Sequence, residues 1–128
     1  MINENLKNKM VKYEELKNKI TTKYKESIQN IDKIMKVIEN NQCVNDRDSF
    51  ETIVFKKYLE LESVKKVADY INELGYRIKT HSYIGERKYT SNDISAIIAS
   101  DVKVETKLKD TVKDLFSQHS IAMYRRYC

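Results

Sequence analysis

Apolar residues recur every three or four positions along most of the chain, and the polar breaks between these runs mark out five amphipathic stretches. The first is the longest, with Leu6, Met10, Tyr13, Leu16, Ile20, Tyr24, Ile28, Ile31, Ile34, Met35 and Ile38. No proline or glycine interrupts it, so the spacing predicts one amphipathic helix over 1–41. At ~1.5 Å per residue such a helix exceeds about 50 Å, more than so small a body can wrap. It is therefore expected to meet a partner, as a homo-oligomer through an antiparallel or bundle-like helix pair; packing on its own body is the alternative. The heptad pattern is mixed. Leu6, Tyr13, Ile20 and Ile34 share a seam position with Ser27, and the companion position holds Lys9, Leu16, Lys23, Asn30 and Val37. A clean two-stranded coiled coil carries apolar residues at both.

The stretch Asn40 to Asp48 is polar and rich in turn formers, and reads as a linker. Asp48, with Glu51 three residues on, predicts the start of a second helix. Its buried face is Phe50, Ile53, Val54, Tyr58 and Leu61, widened by Phe55 and Leu59. Ser63 predicts the cap of a third helix, whose face is Val64, Val67, Ala68, Ile71 and Leu74, and Gly75 marks its end. Thr90 and Asp93 form a capping-box pattern ahead of Ile94, Ile97 and Ile98. Between these two short helices, Tyr76 to Tyr89 alternates loosely around Gly85, which suits a small β-hairpin wing. Asp101 is the expected cap of a last helix carrying Val104, Leu108, Val112, Leu115, Phe116 and Ile121. The fold class expected is all-α, with a small wing, in three parts: the long helix over 1–41, a helix-turn-helix domain over 48–101, and a C-terminal helix over 102–128. The chain has no Pro and two Gly, which favours long helices over a many-turned β fold.

Two short helices sharing one core, the second led by small polar residues, are what a helix-turn-helix DNA reader needs. The pattern Ser63, Val67-Ala68, Ile71-Asn72, Gly75, Tyr89-Thr90 and Ile94 with Ile97 or Ile98 resembles the DNA-binding segment of large serine recombinases and of related small phage and plasmid proteins. In that family a helix ending in Leu-Asn-x-x-Gly is followed by an extended link, an aromatic with Ser or Thr, and a second helix. The resemblance covers Ser63 to Ser100 only, and no stretch offers the recombinase's nucleophilic Ser and Arg cluster. It implies binding to double-stranded DNA and says nothing for recombination. On this reading Ser91, Asn92 and Ser95 face bases, Asn pairing best with adenine. Lys65, Lys66, Arg77, Lys79, Arg87 and Lys88 hold phosphates.

Charge qualifies that picture. The net charge is +5, but residues 48–101 hold eight Lys/Arg against nine Asp/Glu. The excess lies in 1–47, with ten against seven, and in 102–128, with six against three. A DNA reader here must work through local cations. Cys43 and Cys128 lack metal-ligand spacing and read as free thiols, and His81 and His119 sit in no recognisable motif. Hence no catalytic residue, metal or cofactor is expected, and the chain reads as a non-enzyme. No apolar run approaches the ~18 residues of a membrane span, and Asn3, Glu4, Lys7 and Lys9 interrupt any signal core. The expected place is the cytoplasm, of a host cell if phage-encoded, with no membrane partner. The function expected is a small DNA-binding protein of phage or mobile-element type, acting as a transcriptional regulator. The alternatives are a protein-interaction module, such as a phage inhibitor of a host defence nuclease of the anti-CRISPR type, and a phage DNA-packaging subunit.

Overall fold

The computed structural model describes residues 3–81 and 85–127, with side chains as far as Gln118. The order is α1 (Glu4–Asn40), α2 (Phe50–Leu61), α3 (Val64–Glu73), β1 (Ile78–Lys79), β2 (Glu86–Arg87), α4 (Ser91–Ala99) and α5 (Thr106–Tyr127). This is the all-α architecture the periodicity predicts, with a two-stranded antiparallel hairpin between α3 and α4. No helix among the described residues is long and apolar enough to cross a membrane.

The chain divides into two compact units, Met1–Lys36 and Val37–Cys128. The division falls inside α1, where the linker pattern would set it a few residues later. Its cause is Val37, which is buried in the core of the second unit. The first unit is helix alone. Asn3 starts it, its Oδ1 accepting from the Asn5 and Leu6 amides. At the far end the Asn41 and Gln42 side-chain amides donate to the Val37 and Ile38 carbonyls and close the last turn.

The second unit is built around α2, which packs against α3, α4 and α5. Val54, Phe55 and Tyr58 of α2 meet Val67 and Ile71 of α3, Ile94 and Ile98 of α4, and Leu108 and Val112 of α5. All nine are at most 2% exposed. At roughly 1.5–3 kcal/mol for each fully buried large side chain, this cluster is the main support for the two short helices. Phe116 of α5 lies edge-on to Tyr58, with ring centroids 5.9 Å apart.

Two expected caps are corrected. Asp48 does not cap α2; Ser49 does, its Oγ accepting from the Thr52 amide at 3.2 Å. Asp48 instead accepts from Nζ of Lys56 at 2.8 Å, and Lys56 also donates to the Cys43 carbonyl at 3.0 Å. Lys56 is 9% exposed, and a buried ammonium without a counter-charge costs several kcal/mol. The carboxylate therefore goes to the lysine and the neighbouring hydroxyl takes the cap. Burial pushes the Asp48 carboxyl up, but the Lys56 bond and the Asn45 amide outweigh it and leave it below its ordinary value.

Asp101 likewise does not cap the last helix. The chain runs on without helix to Glu105, whose carboxylate accepts from the Lys107 and Leu108 amides at 3.1 and 2.9 Å. That extension places Val102 and Val104 against the core, and Asp101 pairs with Lys109 at 3.3 Å.

Candidate nucleic-acid interface

The turn after α3 is fixed first. Gly75 has φ +95°, where a side chain would be strained. Its amide bonds to the Asn72 carbonyl and the Tyr76 amide to the Ile71 carbonyl, which is a Schellman closure. The chain then enters the hairpin, with Ile78 opposite Arg87 and Lys79 opposite Glu86. Gly85 lies at φ +83°, and its carbonyl accepts from the Thr80 amide at 2.9 Å. Ser82, Tyr83 and Ile84 lie outside the described residues.

The hairpin is returned to α3 by one side chain. Asn72 Nδ2 donates to the Tyr89 carbonyl at 2.9 Å, and Asn72 Oδ1 accepts from the Tyr89 amide at 2.8 Å. A primary amide can satisfy a backbone N–H and C=O together because it carries one donor edge and one acceptor. Phe50 fills the space beside this clamp, its ring 4.9 Å from Tyr76 and 5.2 Å from Tyr89. Asn72 belongs to the pattern that carries the family resemblance, but its positioning role is not readable from spacing.

With Tyr89 held, α4 begins. Thr90 and Asp93 form the predicted capping box, the Thr90 amide donating to Asp93 Oδ2 at 2.8 Å and the Asp93 amide to Thr90 Oγ1 at 3.4 Å. Arg87, at the end of β2, adds a two-pronged bond to the same carboxylate at 2.7 and 2.9 Å. The hairpin is thereby locked to the start of α4. That guanidinium, with the Thr90 cap, holds the Asp93 carboxyl well below the ordinary carboxylate range against the opposing effect of burial.

A depressed carboxyl stabilises the fold at pH values above its unfolded pKa of about 4, and that contribution is lost as pH falls below it. Asp93→Asn is thus expected to flatten the acid limb of a stability–pH curve between pH 4 and 2, with proton uptake on unfolding lower by up to about one. Urea titrations of both proteins across that range are the check; parallel acid limbs would mean the pair contributes nothing.

The residues expected to touch DNA fall into two groups. Ile94 and Ile98 are fully buried, so α4 turns its other side outward. On that side Asn92 is exposed; Ser95 is half-buried at its border, and Ser91, seven residues before Ile98, is half-buried on the core side of the helix. Lys65 and Lys66 in the first turn of α3, Lys79 on β1 and Lys88 just before the α4 cap are all exposed. Among the described residues none of these four makes an ion pair. Arg77 and Arg87 differ: Arg77 donates to the Asn72 and Tyr76 carbonyls at 3.0 and 2.7 Å, and Arg87 is held by Asp93. Both brace the turn and hairpin from within. His81 is exposed, and the side chain of His119 and all of Cys128 lie outside the described residues.

No protein-family model, no curated protein and no solved structure matches this chain.

Proposed function

We propose that the second unit is a double-stranded DNA reader in which α4 enters the major groove. The observation that carries this is the division of α4: Ile94 and Ile98 are buried while Asn92 is exposed, on a helix start fixed by Thr90, Asp93 and Arg87. A recognition helix must present its first turn rigidly, since base contacts are made by side chains near its N-terminus. Asn92 is the base reader, with Ser91 and Ser95 beside it. Lys65, Lys66, Lys79 and Lys88 supply phosphate contacts, while Arg77 and Arg87 position the elements that carry them. The Ser63–Ser100 resemblance to recombinase DNA-binding segments supports the same reading, as does the absence of any catalytic motif from the sequence. The cellular role that follows is regulation of transcription in a phage or mobile element.

The test is titration of generic duplex DNA against salt. With about 0.9 counterions released per phosphate neutralised, four lysines per copy predict a log–log slope of roughly −3 to −4 for each bound copy. No binding at 50 mM salt would remove the proposal.

A second reading, a protein-interaction module such as an inhibitor of a defence nuclease, is favoured by two observations: residues 48–101 carry no net positive charge, and α1 leaves a long apolar stripe in water. Capture of a protein partner by a chain that fails to bind DNA would select it.

A further inference from the structure

The exposed stripe of α1 is the largest feature that DNA reading leaves unused. Ten large apolar side chains from Leu6 to Met35 are 42–68% exposed, and all but Val11 form one stripe. At about 100° per residue these nine fall within an arc of roughly 120° on a straight helix, shared with Lys9, Lys17 and Ser27. Val37, which the second unit buries, lies about 130° round the helix from the middle of that arc. Met35 and Ile38, on either side of Val37 in sequence, stay 61% and 43% exposed. Nine such side chains, at roughly 80–100 Å² apiece, offer about 800 Å² per copy, the share of each partner in a standard specific interface.

The charges along one edge of the stripe say which partner fits. Lys7, Glu14, Lys25 and Asp32 lie along this edge, at about 80–100° from Leu6. Lys7 and Asp32 are equally distant from the point between Lys19 and Ile20, and so are Glu14 and Lys25. The edge is therefore symmetric in position and opposite in sign about that point. Reversed and laid beside itself, it sets Lys7 against Asp32 and Glu14 against Lys25, each pair twice. In a two-fold antiparallel pair the same edge of each helix meets, so this edge matches throughout, while the opposite edge, with Lys12, Lys19 and Lys23, also meets itself and brings like charges together. A parallel pair brings this edge against the other, where Lys25 would face Lys23.

The same register interleaves the apolar side chains. Leu6 falls between Ile31 and Met35 of the other copy, and Tyr13 between Tyr24 and Ile28.

We propose that residues 3–36 pair antiparallel with the same residues of a second copy, with the two-fold axis passing between Lys19 and Ile20. The pairing is independent of whether the chain reads DNA. Light scattering on the full chain should give twice its 15.2 kDa mass. Ile20→Asp, which enters the interface twice at the axis, should give single chains, while Thr22→Asp on the opposite face should leave the mass unchanged.

Surface charge variants test partner and direction without touching the apolar face. Glu14→Lys and Lys25→Glu should each weaken self-association by roughly four- to thirtyfold, at about 0.2–0.5 kcal/mol for each of two lost pairs plus similar repulsion from the two like-charge pairs that replace them. An equimolar mixture of the two should associate more tightly than either alone, because each lysine then meets a glutamate. A wild-type chain of single-copy mass would overturn the proposal, including one that binds vesicles of anionic and zwitterionic phospholipid. So would a mixture no tighter than its components.

Discussion

Asn72→Ala is expected to lower the stability of the second unit by about 2–3 kcal/mol, since it strands two backbone groups of Tyr89 at once. Both bonds are short, at 2.9 and 2.8 Å, and they join positions 17 apart in sequence. Asn72 and Tyr89 are only half-buried, so water recovers part of the loss, which keeps the figure below the full cost of two buried orphans. Asn72→Asp should fall between the two proteins above pH 5, because a carboxylate still accepts from the Tyr89 amide but repels its carbonyl. Amide exchange would locate the effect: Tyr89 and Thr90 should lose protection more than Val67 or Ile71 in the α3 core. Urea unfolding of Asn72→Ala within 0.5 kcal/mol of wild type would mean that Phe50 and the buried isoleucines hold the hairpin without the clamp.

Features set by local chemistry were legible from the sequence. The long helix, the Ser63 cap, the Gly75 turn and the Thr90–Asp93 box each depend on residues within one or two turns of one another. The buried positions of α3 and α4 followed from spacing, since Val67, Ile71, Ile94 and Ile98 recur on one face. What was illegible depends on a partner distant in sequence. Asp48 looks like a cap until Lys56 is buried beside it, and Asp101 looks like one until Val102 and Val104 pack on the core and Glu105 takes the start of α5. Arg77 and Arg87, expected at phosphates, also have partners within the chain that spacing does not reveal, in the Asn72 and Tyr76 carbonyls and Asp93. Asp93 looks adverse beside DNA, and its charge is answered by Arg87 and the cap. The division inside α1 falls at Val37, which the helical pattern sets off the exposed stripe; what it packs against lies far along the chain and is not readable from the helix.

Lys65→Glu with Lys66→Glu is expected to weaken DNA binding by at least tenfold and to stabilise the protein. The two signs differ for a physical reason. Both lysines stand in the first turn of α3, which carries no acidic residue, and the exposed amides of a helix start favour negative charge. Lysine there costs the helix a few tenths of a kcal/mol, and glutamate should return about 0.3–1 kcal/mol per site at low salt. A pair that opposes the stability of its own helix is explained if it serves a ligand, and phosphate is the ligand that suits two exposed ammonium groups beside a positive helix end.

Loss of two phosphate contacts should reduce the magnitude of the salt slope by about 2. Arg87→Ala gives the opposite pattern, with stability falling as the Asp93 pair is lost and the slope nearly unchanged when binding is measured well below the unfolding midpoint. Denaturant melts and fluorescence anisotropy on the same three proteins separate the cases. A double glutamate variant that is more stable and binds duplex DNA as tightly as wild type would place the phosphate contacts elsewhere on the chain.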